Sequence, residues 1–237
     1  MDKRAFLLSV ATCLLGILVA GCDSKAGHTE AASNEEQRSA SSASSSAVAQ
    51  QAAGKADTRP VLVAFGDSLT AGVVENTYPD YLQQLLDSHG YRYRVDNQGV
   101  SGDTSTDGLA RIDNVIAAHP ALVILEFGGN DGLRGVPVSE AKKNVAEMIG
   151  RFQQAQIPVV LAGITLPPNY GVEYVKSFTA IYPELAKQYH LRLLPFLLVD
   201  VYQHPEMMQP DGIHPNGLGN KTVAEDVFRF IQPVLKK

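Results

Sequence analysis

The chain reads as an α/β protein: a doubly wound parallel sheet with helices on both faces. Two observations predict this. Short, nearly unbroken apolar runs alternate with longer runs of helical period. The apolar runs also lack the in–out alternation of a sheet that is wet on one side, so both of their faces are covered. Val61-Leu62-Val63-Ala64-Phe65 is the first strand. Residues 79–88 form a helix with Leu82, Leu85 and Leu86 on one face, stopped by Gly90. Residues 91–95 are the second strand. A helix over 107–118 carries Leu109, Ile112 and Ile116 and is stopped by Pro120. Residues 122–127 are the third strand. Ser139 caps a helix in which Ala141, Val145, Met148, Ile149 and Phe152 recur at helical spacing. Residues 158–164 are the fourth strand, a helix spans 172–190, and a short strand lies near Leu193 to Phe196. The last helix presents Val223, Val227, Phe230, Ile231 and Val234. Right-handed crossovers wind such a sheet on both faces. Ligands then bind beyond the carboxyl ends of the strands, where the strand order reverses.

Residues 1–21 read as an export signal. Lys3 and Arg4 precede an apolar run of 15 residues from Ala5 to Val19, too short for a comfortable span. The run closes on Leu18-Val19-Ala20-Gly21-Cys22, the pattern of a bacterial lipobox in which Cys22 is acylated and becomes the new N-terminus. Cys13 would leave with the signal, so the mature domain has no cysteine for a disulfide. Residues 23–59 are a Ser-, Ala- and Gln-rich linker without aromatic residues, too polar to offset its ordering entropy. As a coil it spans roughly 30–37 Å. Residues 60–237 remain for one catalytic domain. The expected location is the periplasmic face of a membrane, held there by the lipid; Asp23 after the cysteine resembles an inner-membrane retention signal. The formal net charge is −5, and removal of residues 1–21 makes it more negative. An acidic chain with no basic stripe argues against nucleic acid as a partner.

Four loops carry groups with chemistry, and each has a second reading. Gly66-Asp67-Ser68-Leu69 follows the first strand, where Ser68 is either a helix cap or a nucleophile. Gly99 and Gly102 follow the second, either as a turn or as backbone brought close to a ligand. Gly128-Gly129-Asn130-Asp131 follows the third, either a plain turn or an amide aimed into the crevice. Near the C-terminus, Asp211-Gly212-Ile213-His214 allows a carboxylate to accept the imidazole N–H. His28, His89, His119, His190 and His204 have no such neighbour, and no further ligand pair completes a metal site. Together the loops supply a nucleophile, a base, a group that fixes the base's tautomer, and N–H donors: the parts of acyl transfer.

In order and spacing these four blocks resemble those of the SGNH (GDSL-type) hydrolases, from Val61 to about Val234. Residues 101–105, 129–135 and 166–171 resemble, more narrowly, the bacterial thioesterase/lysophospholipase/arylesterase group. The resemblance implies a three-layer, flavodoxin-like sheet of five strands. It implies Ser68 as nucleophile with His214 and Asp211, and an oxyanion hole from the N–H groups of Ser68 and Gly102 and the Asn130 side chain. It also implies an acyl site at Leu133, Val136, Leu166 and Tyr170. The expected activity is hydrolysis of an ester or thioester with no cofactor and no metal. Two other readings stand beside it: a carbohydrate O-deacetylase with the same blocks, and a lipoprotein that binds acyl ligands without cleaving them.

Overall fold

The computed structural model describes residues 57–237. The expected signal segment, Cys22 and the linker up to residue 56 lie outside them. Arg59, expected in the linker, is already tied to the domain: its guanidinium donates to the Tyr93 carbonyl at 3.2 Å and to Asp87 at 3.3 Å.

Among the described residues one parallel sheet runs in the order β2-β1-β3-β4-β5. The strands are β1 (Val61–Gly66), β2 (Arg94–Gly99), β3 (Leu122–Leu125), β4 (Val159–Ala162) and β5 (Arg192–Leu194). This is a flavodoxin-like order, with its reversal between β1 and β3. The helices are α1 (Ser68–Ala71), α2 (Tyr78–Ser88), α3 (Ser105–Ala117), α4 (Gly129–Leu133), α5 (Val138–Gln154), α6 (Val172–Thr179), α7 (Ile181–Tyr189) and α8 (Gly217–Ile231). The step from β1 to β2 goes one way across the sheet and the later steps go the other. Right-handed crossovers therefore place α2 on one face and α3, α5 and α7 on the opposite one. The packing agrees: α2 lies against α8, and α5 touches both α3 and α7. Leu62 to Phe65 of β1 and Leu122 to Leu125 of β3 are buried. On the α3/α5 side, Phe65 meets Phe127 edge-on at 4.9 Å and Phe152 at 6.1 Å between ring centres.

Several boundaries differ from the sequence expectation, each for a local reason. The second strand lies at Arg94–Gly99 rather than 91–95. Tyr91 and Tyr93 bury their rings before the ladder begins, while Asp96, Asn97 and Gln98 sit on an edge strand, where polar side chains are tolerated. The helix expected from residue 107 begins at Ser105. Thr104 caps it, and Asp107 Oδ2 accepts from the Thr104 N–H at 2.9 Å and its hydroxyl at 2.7 Å, a reciprocal cap. Helix α5 starts at Val138 behind Pro137, so Ser139 lies in its first turn and is not the cap. The helix expected over 172–190 is split at Ala180 into α6 and α7. Pro183 has no N–H for the Thr179 carbonyl, which ends the first ladder there. The last helix stops at Ile231, and Val234 falls in a 3₁₀ turn.

Just past β3, Glu126 is fully buried. Its Oε2 accepts from the Asp67 N–H at 3.2 Å and the Thr70 hydroxyl at 3.0 Å, while Oε1 has no hydrogen-bond partner among the described residues. Burial, reinforced by the nearby Asp67 carboxyl, pushes Glu126 well above the usual carboxylate range. A raised folded-state value means that the contribution to stability is complete below the ordinary glutamate range and is lost as pH rises toward the raised value. Asp67, raised to about 6, adds a loss of the same sign between the ordinary aspartate range and about pH 6. We therefore expect urea midpoints to fall as pH rises above the ordinary glutamate range, and Glu126→Gln, an isostere of the neutral acid, to remove much of that fall. An unchanged slope in the variant would assign the effect to another group.

Candidate active site

The turn after β1 is built for close contact. A Cβ on Gly66 would lie 2.3 Å from Thr70 Oγ1 and 2.4 Å from Glu126 Oε2, so only glycine fits. Asp67 caps the short helix α1, its Oδ1 accepting the Leu69 N–H at 3.0 Å. The capping role thus belongs to Asp67, which leaves Ser68, the first residue of α1, free for another task. Its hydroxyl donates to His214 Nε2 at 2.9 Å.

His214 arrives on the loop before α8. Asp211 Oδ2 accepts its Nδ1–H at 2.7 Å, while Asp211 Oδ1 accepts the backbone N–H groups of Ile213 and His214 at 2.9 and 3.0 Å. Gly212, at φ +67°, makes the reversal that lets the carboxylate fold back onto the ring. Partial burial raises the Asp211 carboxyl, but the hydrogen bonds from the ring and the two N–H groups outweigh it and hold the group at about 2. Asp211 is therefore ionised at neutral pH and sets the tautomer in which Nε2 accepts the Ser68 proton. His204 also has a carboxylate partner, Glu206 at 3.1 Å, but that pair is exposed and has no hydrogen bond to a hydroxyl among the described residues.

Asn130 lines the cavity at Ser68, and Gly102 precedes Asp103, whose carbonyl accepts from Asn130. Gly102 has φ +87°, and its carbonyl accepts from Arg134 at 2.7 Å. Asn130, on α4, is not free: its side-chain N–H₂ donates to Asp67 Oδ2 at 3.2 Å and to the Asp103 carbonyl at 3.0 Å. Burial pushes the Asp67 carboxyl up to about 6, against the Leu69 and Asn130 hydrogen bonds and the nearby His214, which lower it. By contrast, neither the Ser68 N–H nor the Gly102 N–H donates to a backbone acceptor among the described residues.

A mostly apolar cavity opens at Ser68. Leu133 and Leu166 line it, with Ile164, Phe196, Leu198 and Tyr202. Val136 and Tyr170, expected in the acyl site, are not part of its lining. They belong to a brace behind it. Tyr170 donates to the Leu133 carbonyl at 3.2 Å, and Tyr174 donates to the Val136 carbonyl at 3.2 Å. The hydroxyls of both rings hold the loop that carries Leu133 and Val136. Ile164 lies just past β4, and Phe196, Leu198 and Tyr202 follow β5. Their position beyond strand ends is the sequence signal for them, and it is weaker than the glycines that mark the loops after β1, β2 and β3. Among the described residues no group of three or more His, Cys, Asp or Glu is placed to hold a metal ion.

Known proteins share both the sequence and the fold. Residues 64–222 match the model of the GDSL-like lipase/acylhydrolase family. The chain is 40% identical over 192 residues to the esterase TesA of Pseudomonas aeruginosa, covering 79% of this chain and 93% of that one. It is 39% identical over 184 residues to the thioesterase 1/protease 1/lysophospholipase L1 of Escherichia coli K12, covering 77% and 87%. A crystal structure of TesA superposes with a TM-score of 0.71 at 40% identity, covering 74% of this chain and 99% of that one. With two thirds of its length inside the family model and curated esterases among its relatives, the chain belongs to the GDSL-like lipase/acylhydrolase family and is a carboxylic ester hydrolase.

Proposed function

We propose that the chain cleaves acyl esters, and thioesters of similar acyl groups, through an acyl-enzyme on Ser68. The observation that carries this reading is the unbroken chain of hydrogen bonds from Ser68 through His214 to Asp211 at the mouth of an apolar cavity. His214 Nε2 takes the Ser68 proton as Oγ bonds to the acyl carbon, and the carbonyl oxygen becomes an oxyanion. The N–H groups of Ser68 and Gly102 and the Asn130 amide are the donors for it. For Asn130 this means sharing or exchanging one of its two present bonds. Collapse breaks the bond to the leaving oxygen or sulfur, which departs with the proton from His214. Water then repeats the sequence and frees Ser68.

The cavity wall favours an aliphatic chain over a bare acetyl group, because Leu133, Ile164, Leu166 and Leu198 offer apolar surface that an acetyl would leave uncovered. This supports an acyl esterase over a carbohydrate O-deacetylase. The protein also acts, in this reading, while held to a membrane by lipid on Cys22, facing the periplasm. That rests on the N-terminal pattern Leu18 to Cys22 and on the polar segment that follows it.

Three measurements test these statements. A p-nitrophenyl phosphonate should label Ser68 covalently, Ser68→Ala should abolish both labelling and turnover, and medium-chain p-nitrophenyl esters should be cleaved faster than acetate. Labelling elsewhere, or a preference for acetyl, would overturn the corresponding half of the reading. Asn130→Ala should lower kcat by about 10²- to 10³-fold in a protein that is still folded at the assay temperature; a rate equal to the parent would remove Asn130 from the site. In a bacterial host, Cys22→Ser should move the protein from the membrane fraction to the soluble one, and retention on the membrane would refute the lipid anchor.

A further inference from the structure

We propose that Arg111 is the positioning residue that holds the three oxyanion donors, the N–H groups of Ser68 and Gly102 and the Asn130 amide, in one geometry. The inference rests on the oxyanion hole proposed above. Arg111 stands on α3 and touches none of the reacting groups. Its guanidinium spends one nitrogen on each of three places. Nε donates to Asp103 Oδ2 at 2.7 Å, one terminal nitrogen donates to the Gln98 carbonyl at 2.8 Å, and the other donates to the Gly66 carbonyl at 3.0 Å.

Two of these partners, Gly66 and Asp103, lead directly to donors, and the third, Gln98, anchors the end of β2. The Gly66 carbonyl precedes the peptide that carries the Ser68 N–H, and it also accepts the Val100 N–H at 3.1 Å. Asp103 follows Gly102, and its own carbonyl accepts from the Asn130 amide at 3.0 Å. One planar cation therefore joins the nucleophile turn, the end of β2 and the Gly102 loop. The guanidinium carbon lies 4.6 Å from the centre of the Phe65 ring and 5.6 Å from that of Phe127. Both rings are buried and fixed by the core, so the fork is held in place from below. A lysine in its place keeps the charge but cannot serve three divergent acceptors from one plane.

A structural arginine and a positioning arginine differ in what they are coupled to. The test is a cycle on the full chain, reading kcat, KM and melting temperature with one p-nitrophenyl ester for R111K, N130A and the double variant. R111K should lower kcat by about 10- to 100-fold, below the effect of deleting a donor outright, with KM within about twofold and the melting temperature largely kept. In the N130A background the same change should cost less than about threefold, because the donor cluster is already broken. A folded R111K with parental kcat, or an equal factor in both backgrounds, would overturn the proposal. Should R111K fail to fold, Asp103→Asn, which removes the ion pair and leaves Arg111, is read in the same cycle with the same two outcomes. N130A at the parental rate would sink the oxyanion hole and the role of Arg111 with it. An impaired N130A beside a silent R111K sinks the role of Arg111 only.

Discussion

β1 is paired on both sides by strands that run in its own direction. Its last residue, Gly66, is in register with Gly99, the last of β2, and on the other side Phe65 is in register with Leu125, the last of β3. Three chain segments therefore leave the sheet side by side at one edge, and three loops have to share a small space there. The crowding is literal. A Cβ on Gly99 would stand 2.1 Å from the Ala71 backbone nitrogen, and the Val100 N–H bonds back to the Gly66 carbonyl at 3.1 Å. Backbone geometry, with glycine at 66 and 99, brings the nucleophile turn against the segment that leads to Gly102.

Buried beneath these loops are the carboxyls of Asp67, Glu126 and Asp131. Placing so many acids out of water is costly unless each is hydrogen-bonded or neutral. The chain uses both solutions. Asp131 accepts the Ser105 N–H at 2.7 Å and its hydroxyl at 2.5 Å, Asp67 accepts Leu69 and Asn130, and Glu126 is driven toward its neutral form. These bonds tie α1, α3 and α4 to one another. A polar network in which only Glu126 Oε1 lacks a partner among the described residues is rigid, which suits groups that must already be in place when charge develops.

The base comes from far away: 146 positions separate Ser68 from His214. β5 is at the edge of the sheet, so the segment after it has to travel back toward β1. Asn216 secures its end. The side chain caps α8 through the Leu218 and Gly219 N–H groups and donates to the Glu206 carbonyl at 2.8 Å. A backbone bond from the Gln209 N–H to the His214 carbonyl, at 2.8 Å, and the bridge of Met208 with Pro215 close the loop from the other side. Helix α8 then packs on α2, the next long helix after the nucleophile turn.

By itself the sequence determined the layers of the sheet, because apolar runs that lack alternation can only be strands covered on both faces. It also singled out residues with chemistry, since Ser68, Gly102, Asn130, Asp211 and His214 stand in glycine-marked loops after strands or before the last helix. It misplaced β2, whose ladder residues are polar on an edge strand, and it overlooked the break at Pro183 within an otherwise helical pattern. Contacts between distant segments were decided only in three dimensions. That Asn130 is bonded to Asp67 and Asp103, that Tyr170 braces a loop instead of lining the cavity, and that Phe196, Leu198 and Tyr202 complete its wall all depend on how far each loop folds back. Packing sets that distance; residue type and spacing leave it open.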